Sequence, residues 1–530
     1  MSTQTRHVPV LIVGGSLVGL STSVLLADQG VPHLLVESHR GTAIHPRAAS
    51  FHQRTMEVFR SVGLQEAVEQ AAAAEFEQGG AIMAVESLAG KELHYFFHSY
   101  NEGVEGLSPT DRLFLTQVGL EPVLRDRARE LGAALGAEQR FGTELVSFEE
   151  LDDHVRGVIR PRDGGPEEEV TCDYLVAADG AHSRVREQLG IATTGRGSFA
   201  DCVTIYFKAD VKPLLGDRNL SVVYVNHPEL LGFFRFSIGA DAGFLAVFST
   251  TAADGTRDTQ VGEGLSSERA VELVRTALGD PGIPVDIESI QRWSASSGAA
   301  ESFGRGRVFL AGDSAHVMPP TGGFGGNTGV ADAHNLAWKL ALVTKGLAGP
   351  GLLASYDPER RPISALTAEQ AYTRYVLRVD PSLPQEDLQP PLDDASIELG
   401  AVYRSGAVLD DSAPEGPLHD PRSRDWATGT RVPHLPLPDG RSTVDVPGHG
   451  FAVFCTDSEA EWRKVADEAG QAFGVPVAVQ LLDGPGPDGS GLEGTALVRP
   501  DGVVAWRTSQ LPASLDDALA ALLDRPAGTS

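Results

Sequence analysis

Cysteine is nearly absent from this chain: three residues in 530, Cys172, Cys202 and Cys455, far apart and odd in number. They offer no disulfide framework and no C-x-x-C pair for zinc or thiol redox chemistry, so they read as small buried hydrophobes and no metal site is expected. Basic residues are short as well, 43 Lys and Arg against 72 Asp and Glu, a formal net charge of −29. Nucleic acid gains nothing from such a surface and is excluded as a partner. No apolar run is long enough to span a bilayer, which excludes a membrane protein of the helical kind. Met1–His7 leads straight into a strand without room for a signal segment, and the expected compartment is the cytoplasm.

At 530 residues the chain exceeds one compact core, so two to four domains are expected, with ample interior to enclose a large ligand. The organising stretch is Val8–Leu20, an apolar strand running into Gly14, Gly15, Ser16, Leu17, Val18 and Gly19, then an apolar helix and His33–Glu37. This is a βαβ unit, whose glycine turn leaves backbone N–H groups at a helix N-terminus free to meet a pyrophosphate. Gly30 is placed to end the helix. Glu37 follows Gly19 by 18 residues, near the spacing at which an acid holds an adenosine ribose. Ser16 stands where the fingerprint has its middle glycine, and its hydroxyl is able to meet a phosphate. The unit calls for a dinucleotide.

Arg47 lies just beyond the ribose acid, either within reach of phosphates or as a solvated loop charge. Thr55–Arg60 is helical, closed by Gly63, and a helix through Gln117–Arg127 brings Gln117 toward a ligand if it packs beside the first unit. Residues 142–160 alternate as strands of a meander. Cys172–Ala178 is an apolar strand ending in Asp179-Gly180, with Ser183 and Arg186 opening the next helix; a plain tight turn is the alternative. Val203–Phe207, Leu220–Val225, Gly232–Ser237 and Gly243–Phe248 form an antiparallel sheet rich in aromatic residues, one face of which can wall an aromatic pocket or simply fill a core. In Gly306–His316 a buried strand delivers Asp313 at its carboxyl end. A loop of proline and glycine follows, then a long apolar helix for which Asn327 is the expected N-cap. Asp313, Ser314 and His316 have triad chemistry, but triads draw on separate elements and no G-x-S-x-G elbow is present, so a hydrolase is set aside and His316 is expected to be structural. A later helix carries Tyr372, Arg374, Tyr375 and Arg378, with Tyr375 and Arg378 on one face. Proline, aspartate and glycine from Glu386 to Pro438 mark a linker. Beyond it, strands at Phe451–Phe454, Val477–Leu482 and Thr495–Arg499 alternate with helices over 459–472 and 514–523, a small α/β domain.

Gly14 to Gly19 with Glu37, Asp179-Gly180 before Ser183 and Arg186, and Gly312-Asp313 before Pro319-Pro320 and the glycine loop, in that order, resemble the class A FAD-dependent aromatic hydroxylases of the p-hydroxybenzoate hydroxylase fold. Val498–Arg507 resembles a stretch of the thioredoxin-like domain of the longer members, here without a redox cysteine pair. Within the family the chain is most like actinobacterial hydroxylases of aromatic polyketides, the anthracyclines and angucyclines. The resemblance implies an α/β fold: a Rossmann-like FAD-binding domain over 1–85, 111–200 and 298–395, an inserted β-sheet substrate domain over 86–110 and 201–297, and a linker with a C-terminal thioredoxin-like domain over 396–530. It implies that Gly14, Ser16, Leu17, Val18, Glu37, Arg47, Gln117 and Asp313 bind FAD, with Gly325, Gly326 and Asn327 near the flavin ring. Gly19, Arg125, Leu145 and Pro320 join that set, and Asp179 and Gly180 serve both FAD and NAD(P)H.

The implied reaction is NAD(P)H-driven hydroxylation by molecular oxygen, through a flavin C4a-hydroperoxide, of a polycyclic phenol in antibiotic or other secondary-metabolite biosynthesis. The long helix would stabilise negative charge on the flavin, and the apolar sheet would keep the site dry. Transfer is electrophilic and needs a phenol helped toward phenolate. Tyr224 and Arg378 are the candidate catalytic residues, with a packed tyrosine and a surface arginine as the plain alternative. A flavin-dependent halogenase is set aside because all five tryptophans are isolated and W-x-W-x-I-P is missing; a disulfide reductase is set aside for want of a second glycine fingerprint. A catabolic phenol hydroxylase of the same family, a non-turnover flavin or ligand binder in a biosynthetic complex, and a homodimeric assembly remain open.

Overall fold

The computed structural model describes residues 6–44, 49–251, 257–258, 261, 264–409, 413–484, 491–508 and 515–526. The chain opens with β1 (Arg6–Val13), α1 (Leu17–Asp28) and β2 (His33–Glu37), then α2 (Gln53–Ser61), α3 (Gln65–Glu75), β3 (Ala81–Val85), β4 (Glu92–Phe97), α4 (Gln117–Gly132), β5 (Glu138–Phe141), β6 (Thr143–Glu150), β7 (Val155–Pro161), β8 (Glu168–Ala177) and α5 (Arg184–Gln188). It continues through β9 (Thr193–Lys208), α6 (Lys212–Leu215), β10 (Leu220–His227), β11 (Leu230–Phe236), β12 (Ala242–Thr251), β13 (Arg257–Asp258), α7 (Ser267–Leu278), β14 (Asp286–Ala300), β15 (Gly304–Arg305), β16 (Val308–Leu310), β17 (His316–Val317), α8 (Phe324–Thr344), α9 (Tyr356–Arg378) and α10 (Asp394–Leu399). The C-terminal part holds β18 (Phe451–Cys455), α11 (Glu459–Phe473), β19 (Val477–Leu481), β20 (Thr495–Val498), β21 (Val504–Thr508) and α12 (Leu515–Leu522).

Three sheets form among the described residues. In the first, β16, β8, β1, β2 and β5 run parallel, with β15 antiparallel on one edge and the β6–β7 pair joined to β8. Val10, Leu11, Ile12, Leu34 and Leu35 have no exposed surface, as parallel strands covered by helices on both faces require. The second sheet is ordered β17-β14-β9-β12-β11-β10-β3-β4. One of its faces packs on α7 through Val203, Ile205, Phe207, Val223 and Phe234, and the alternate residues Cys202, Tyr224, Ala246 and Phe248 face α9. The third is a four-stranded sheet, β19-β18-β20-β21, packed with α11 and α12 around Trp462 and Phe451. This is the expected architecture: a Rossmann-like domain, an inserted sheet and a C-terminal thioredoxin-like domain.

Two expected boundaries move. β3 pairs in parallel with β10 from Leu220 to Val225, so Ala81–Val85 belongs to the substrate sheet, not to an FAD-binding segment ending at 85. β9 pairs with β14 from Lys208 to Thr193, with register shifts between Ala295 and Ser296 and between Ser297 and Gly298, so a division at 200 falls inside a strand that both domains share. Within the 386–438 stretch, residues 426–432 are packed rather than slack. Trp426 has no exposed surface, Gly429 N–H and Val432 N–H bond the carbonyls of Val504 and Gly502 at 2.8 Å, and the Arg431 guanidinium reaches Glu57 of α2. Prolines and glycines there shape tight turns on a packed surface.

Candidate active site

Backbone geometry explains the first turn. Gly14 sits at φ +105°, and a Cβ there would lie 2.1 Å from the Ala178 carbonyl oxygen; a Cβ on Gly19 would lie 1.9 Å from the Gly14 carbonyl oxygen. β1, β8 and α1 therefore approach closely only because these residues lack side chains. Ser16 is the N-cap of α1, yet its side chain caps nothing, and the first turn of the helix holds no acid. The Ser16 hydroxyl donates instead to Glu121 Oε1 at 2.6 Å. The amides of Leu17, Val18 and Gly19 remain for an anionic ligand.

Glu37 ends β2 with its carboxylate buried. Its Oε2 accepts the Gly15 N–H and its Oε1 the His39 N–H, each at 2.6 Å. Burial alone would raise its pKa, but these bonds and His39 outweigh it and hold the group low, so it is charged. Gln117, at the start of α4, donates to Ser16 Oγ and to Glu121 Oε1, both at 2.6 Å. Glu121 also accepts the Ala43 N–H at 2.6 Å and is wholly buried. Sequence reasoning missed it, although its i,i+4 spacing from Gln117 puts it on the same stripe. Arg125 is one turn further, its guanidinium 4.0 Å from the Phe141 ring centre and in no ion pair among the described residues. Burial lowers its pKa, and Arg129 adds to this. Leu145 is half-buried on β6 opposite Ile159 and packs with the first sheet's core. Arg47 lies outside the described residues.

The two later motifs converge on this turn. Asp179 follows β8, one carboxylate oxygen accepting Val185 N–H at 3.2 Å while the other, Oδ1, is buried without a partner among the described residues. Burial raises its pKa. Arg186 donates to the Ser314 carbonyl at 2.8 Å, and Ser314 Oγ donates to the Ala177 carbonyl at 2.7 Å, which ties the Asp179-Gly180 turn to the Gly312-Asp313 turn. Asp313 is exposed. Val18 of α1 fits between Gly312 and Gly329, where added Cβ atoms would meet its Cγ2 at 2.6 and 2.5 Å. Hence α1, the Asp313 turn and α8 share one point of contact.

Asn327 is not an N-cap. Gly322 and Gly323 take φ +90° and +70°, so α8 starts at Phe324 with Gly323 as its cap. From the first turn Asn327 braces the preceding chain: Oδ1 accepts His52 N–H at 2.9 Å and Thr55 Oγ1–H at 2.6 Å, and Nδ2 donates to the carbonyls of Ser50 at 2.9 Å and Gly323 at 2.7 Å. Pro320 is exposed, and its carbonyl accepts Gly323 N–H at 3.0 Å. Gly325 and Gly326 form the first helical turn, which has no acid and no side-chain cap. His316 Nε2 bonds Asp332 Oδ2 at 2.8 Å in full burial, a structural place.

Thr321 Oγ1 donates to the Ala371 carbonyl at 2.6 Å, which sets the glycine loop against α9 one turn before Tyr375. Tyr375 belongs to the aromatic face of the second sheet, with Phe248 5.3 Å and Phe199 5.1 Å away. Tyr224 lies on the same face, edge-on to Phe96 at 5.5 Å. Arg378, the last residue of α9, is half-buried with its guanidinium 5.0 Å from the Phe96 ring centre, on the ring that Tyr224 also touches. Burial raises the Tyr224 pKa and Arg378 opposes it. The two candidate catalytic side chains therefore share Phe96 at the apolar wall.

The uncapped turn, the glycine cradle, the Asp179 oxygen and the carboxylate-free Arg125 fit a dinucleotide with a pyrophosphate. Comparisons agree. A family model described as an FAD binding domain matches residues 7–371, and one described as the C-terminal domain of aromatic-ring hydroxylases matches 425–526. The chain is 46% identical to a 4-methyl-5-nitrocatechol 5-monooxygenase of a Burkholderia species, over 98% of both chains. It is 38% identical to the tetracenomycin A2 monooxygenase-dioxygenase of Streptomyces glaucescens, over 99% of this chain and 98% of that one. Among solved structures it is similar to aklavinone-11 hydroxylase in complex with FAD and aklavinone, with a TM-score of 0.89 and 34% identity over 98% of this chain and 100% of that one.

Proposed function

The chain belongs to the FAD-dependent aromatic-ring hydroxylases, a monooxygenase family, and from that premise we propose that its substrate is a polycyclic phenol of polyketide origin, hydroxylated in antibiotic or other secondary-metabolite biosynthesis. The observation that carries this reading is the Tyr224–Arg378 pair on an aromatic wall beside the glycine loop. Relatives support the substrate class, since two of them are a tetracenomycin A2 monooxygenase-dioxygenase and an aklavinone-11 hydroxylase. The Gly14–Gly19 turn, Glu37, Gln117, Arg125, Asp179 and Asp313 would hold FAD, whose chemistry would be to take hydride from NAD(P)H and activate molecular oxygen.

The protein's own share is electrostatic. Arg378, with no carboxylate paired to it among the described residues, stabilises the substrate as phenolate, and Tyr224 relays its proton by hydrogen bond. Phe96, Phe233, Phe244 and Phe248 exclude water from the ring being hydroxylated. The amides opening α8 meet negative charge on the cofactor. Supply of NAD(P)H sets the enzyme in the cytoplasm, and a homodimer belongs to the same reading, checked by light scattering.

A one-ring nitrocatechol is the second reading, favoured by the 46% identity to the nitrocatechol monooxygenase. A panel of polycyclic phenols and nitrocatechols, assayed for product formed per NAD(P)H consumed, separates the two. Tight coupling with a polycyclic phenol is expected; tight coupling with nitrocatechols alone overturns the polyketide reading.

A further inference from the structure

Behind the active site lies a cluster of wholly buried charge whose centre comes from the C-terminal domain. Arg499, just past β20, forks onto Glu359 of α9 with its two Nη atoms at 2.6 and 3.0 Å. It also grips Asp501 through Nε at 3.0 Å and Nη2 at 2.6 Å. None of the three side chains is more than marginally exposed. Glu359 further accepts Asn335 Nδ2 at 2.7 Å and Lys339 Nζ at 2.8 Å, and Lys339 donates to Asn335 Oδ1 at 2.8 Å. Asn335 and Lys339 are one turn apart on α8, so a single face of that helix is pinned.

From there the contacts run to the cofactor side. Arg360, next to Glu359, donates to Asp332 Oδ1 at 2.7 Å and to the Thr328 carbonyl at 3.1 Å. Asp332 Oδ2 accepts Gly312 N–H at 3.0 Å, directly before Asp313. On the other flank, Arg54 of α2 donates to the Asp501 carbonyl at 2.5 Å, while its neighbours His52 and Thr55 hold Asn327. One turn of the C-terminal domain is thus bonded to α9 and α2 directly and, through Glu359 and Asn335, to α8, whose first turn ends the glycine loop.

Such a network adds little net stability over well-packed apolar side chains, but each fork fits its acceptor in one geometry and therefore fixes register. We propose that the C-terminal domain is a positioning element of the flavin site: the Arg499–Gly502 turn sets α8 along its axis and so aims the Gly323–Asn327 end and the Gly312-Asp313 turn at the cofactor. Arg499 and Asp501 act through Glu359, Asn335 and Arg360 and are positioning residues. The inference rests on the FAD-dependent reading of this site and not on the identity of the substrate.

Arg499→Met, in the full chain, removes the fork while keeping bulk. Hydrogen exchange of the apoprotein, followed by mass spectrometry, should quicken at residues 312–332 while the second sheet stays protected. FAD should bind about tenfold more weakly or worse, the scale of a coupling between distant sites. Arg499→Lys keeps the charge without the fork and should not restore either property. If Arg499→Met does not fold, Asp501→Asn carries the same two measurements. Unchanged exchange at 312–332 with unchanged FAD affinity overturns the proposal and leaves a mere staple between domains, as does full rescue by lysine. Wild-type protein that binds no FAD would instead defeat the flavin assignment, so the two failures are distinguishable.

Discussion

Gly19→Ala isolates the cofactor turn from the rest of the fold. The added Cβ would sit 1.9 Å from the Gly14 carbonyl oxygen, where ordinary contact begins at 3.4 Å, so α1 and the turn must part by about 1.5 Å. The neighbour is backbone and cannot swing away. Overpacking of this kind costs about 1–3 kcal/mol, while replacing glycine within a helix by alanine returns about 1 kcal/mol, so the net loss of stability is small. The loss of binding is not. Hydrogen bonds to a charged group contribute about 1.5–3 kcal/mol each, so displacing even one amide from the pyrophosphate weakens FAD binding roughly ten- to a hundredfold. The assay is a fluorescence-quenching titration of apoprotein with FAD, beside the thermal midpoint of the apoprotein. Gly406→Ala, where an added Cβ meets nothing within 4 Å, is the control and should bind like wild type. A Gly19→Ala protein that binds FAD within about twofold of wild type would refute the reasoning, because amides moved that far cannot hold the same phosphate.

Other outcomes follow from the same geometry. Tyr224→Phe should lower kcat on a phenolic substrate by about a hundredfold, on the scale of lost acid–base catalysis, with FAD affinity unchanged. Arg378→Ala should move the ascending limb of the pH–rate profile to higher pH, because a phenolate without its cation forms only at higher pH; an unmoved limb removes the role. Asp332→Asn breaks the pairs to Arg360 and His316 and should cost about 3–5 kcal/mol in urea unfolding, the penalty of stranding a buried charge. His33 is held neutral by burial, its pKa pulled down from 6.5 to about 4. The unfolded chain therefore binds the extra proton first, so stability present above pH 6.5 is lost as pH falls to about 4, by about 3 kcal/mol, and a His33→Gln variant should show a flatter urea midpoint across that window.

Legibility from sequence follows how local the cause is. Gly14, Gly19 and Glu37 are readable because a positive φ, a steric ceiling and a chain spacing are all written within one βαβ unit. The start of α8 is not where the sequence suggests, at Asn327, since Gly322 and Gly323 turn the chain earlier through a backbone conformation that composition does not reveal. Asn327 instead satisfies four groups, three of them on Ser50, His52 and Thr55, and a pairing across 275 positions, as with His52, is encoded by no local pattern. The stretch after Glu386 reads as a linker for the same reason: what holds Arg431 is Glu57, 374 positions away. Tyr224 and Arg378 can be named as chemistry, but their meeting depends on α9 crossing the second sheet.

On the polyketide reading, this chain couples flavin reduction to oxygen transfer onto a polycyclic phenol. The most direct test of that coupling is a single-turnover experiment: FAD-loaded enzyme reduced anaerobically by NADPH with a polycyclic phenol bound, then mixed with isotopically heavy oxygen gas. The phenol should speed reduction, and one heavy oxygen atom should appear in the product. Reduction indifferent to every polycyclic phenol, with all the heavy oxygen recovered as peroxide, would contradict it.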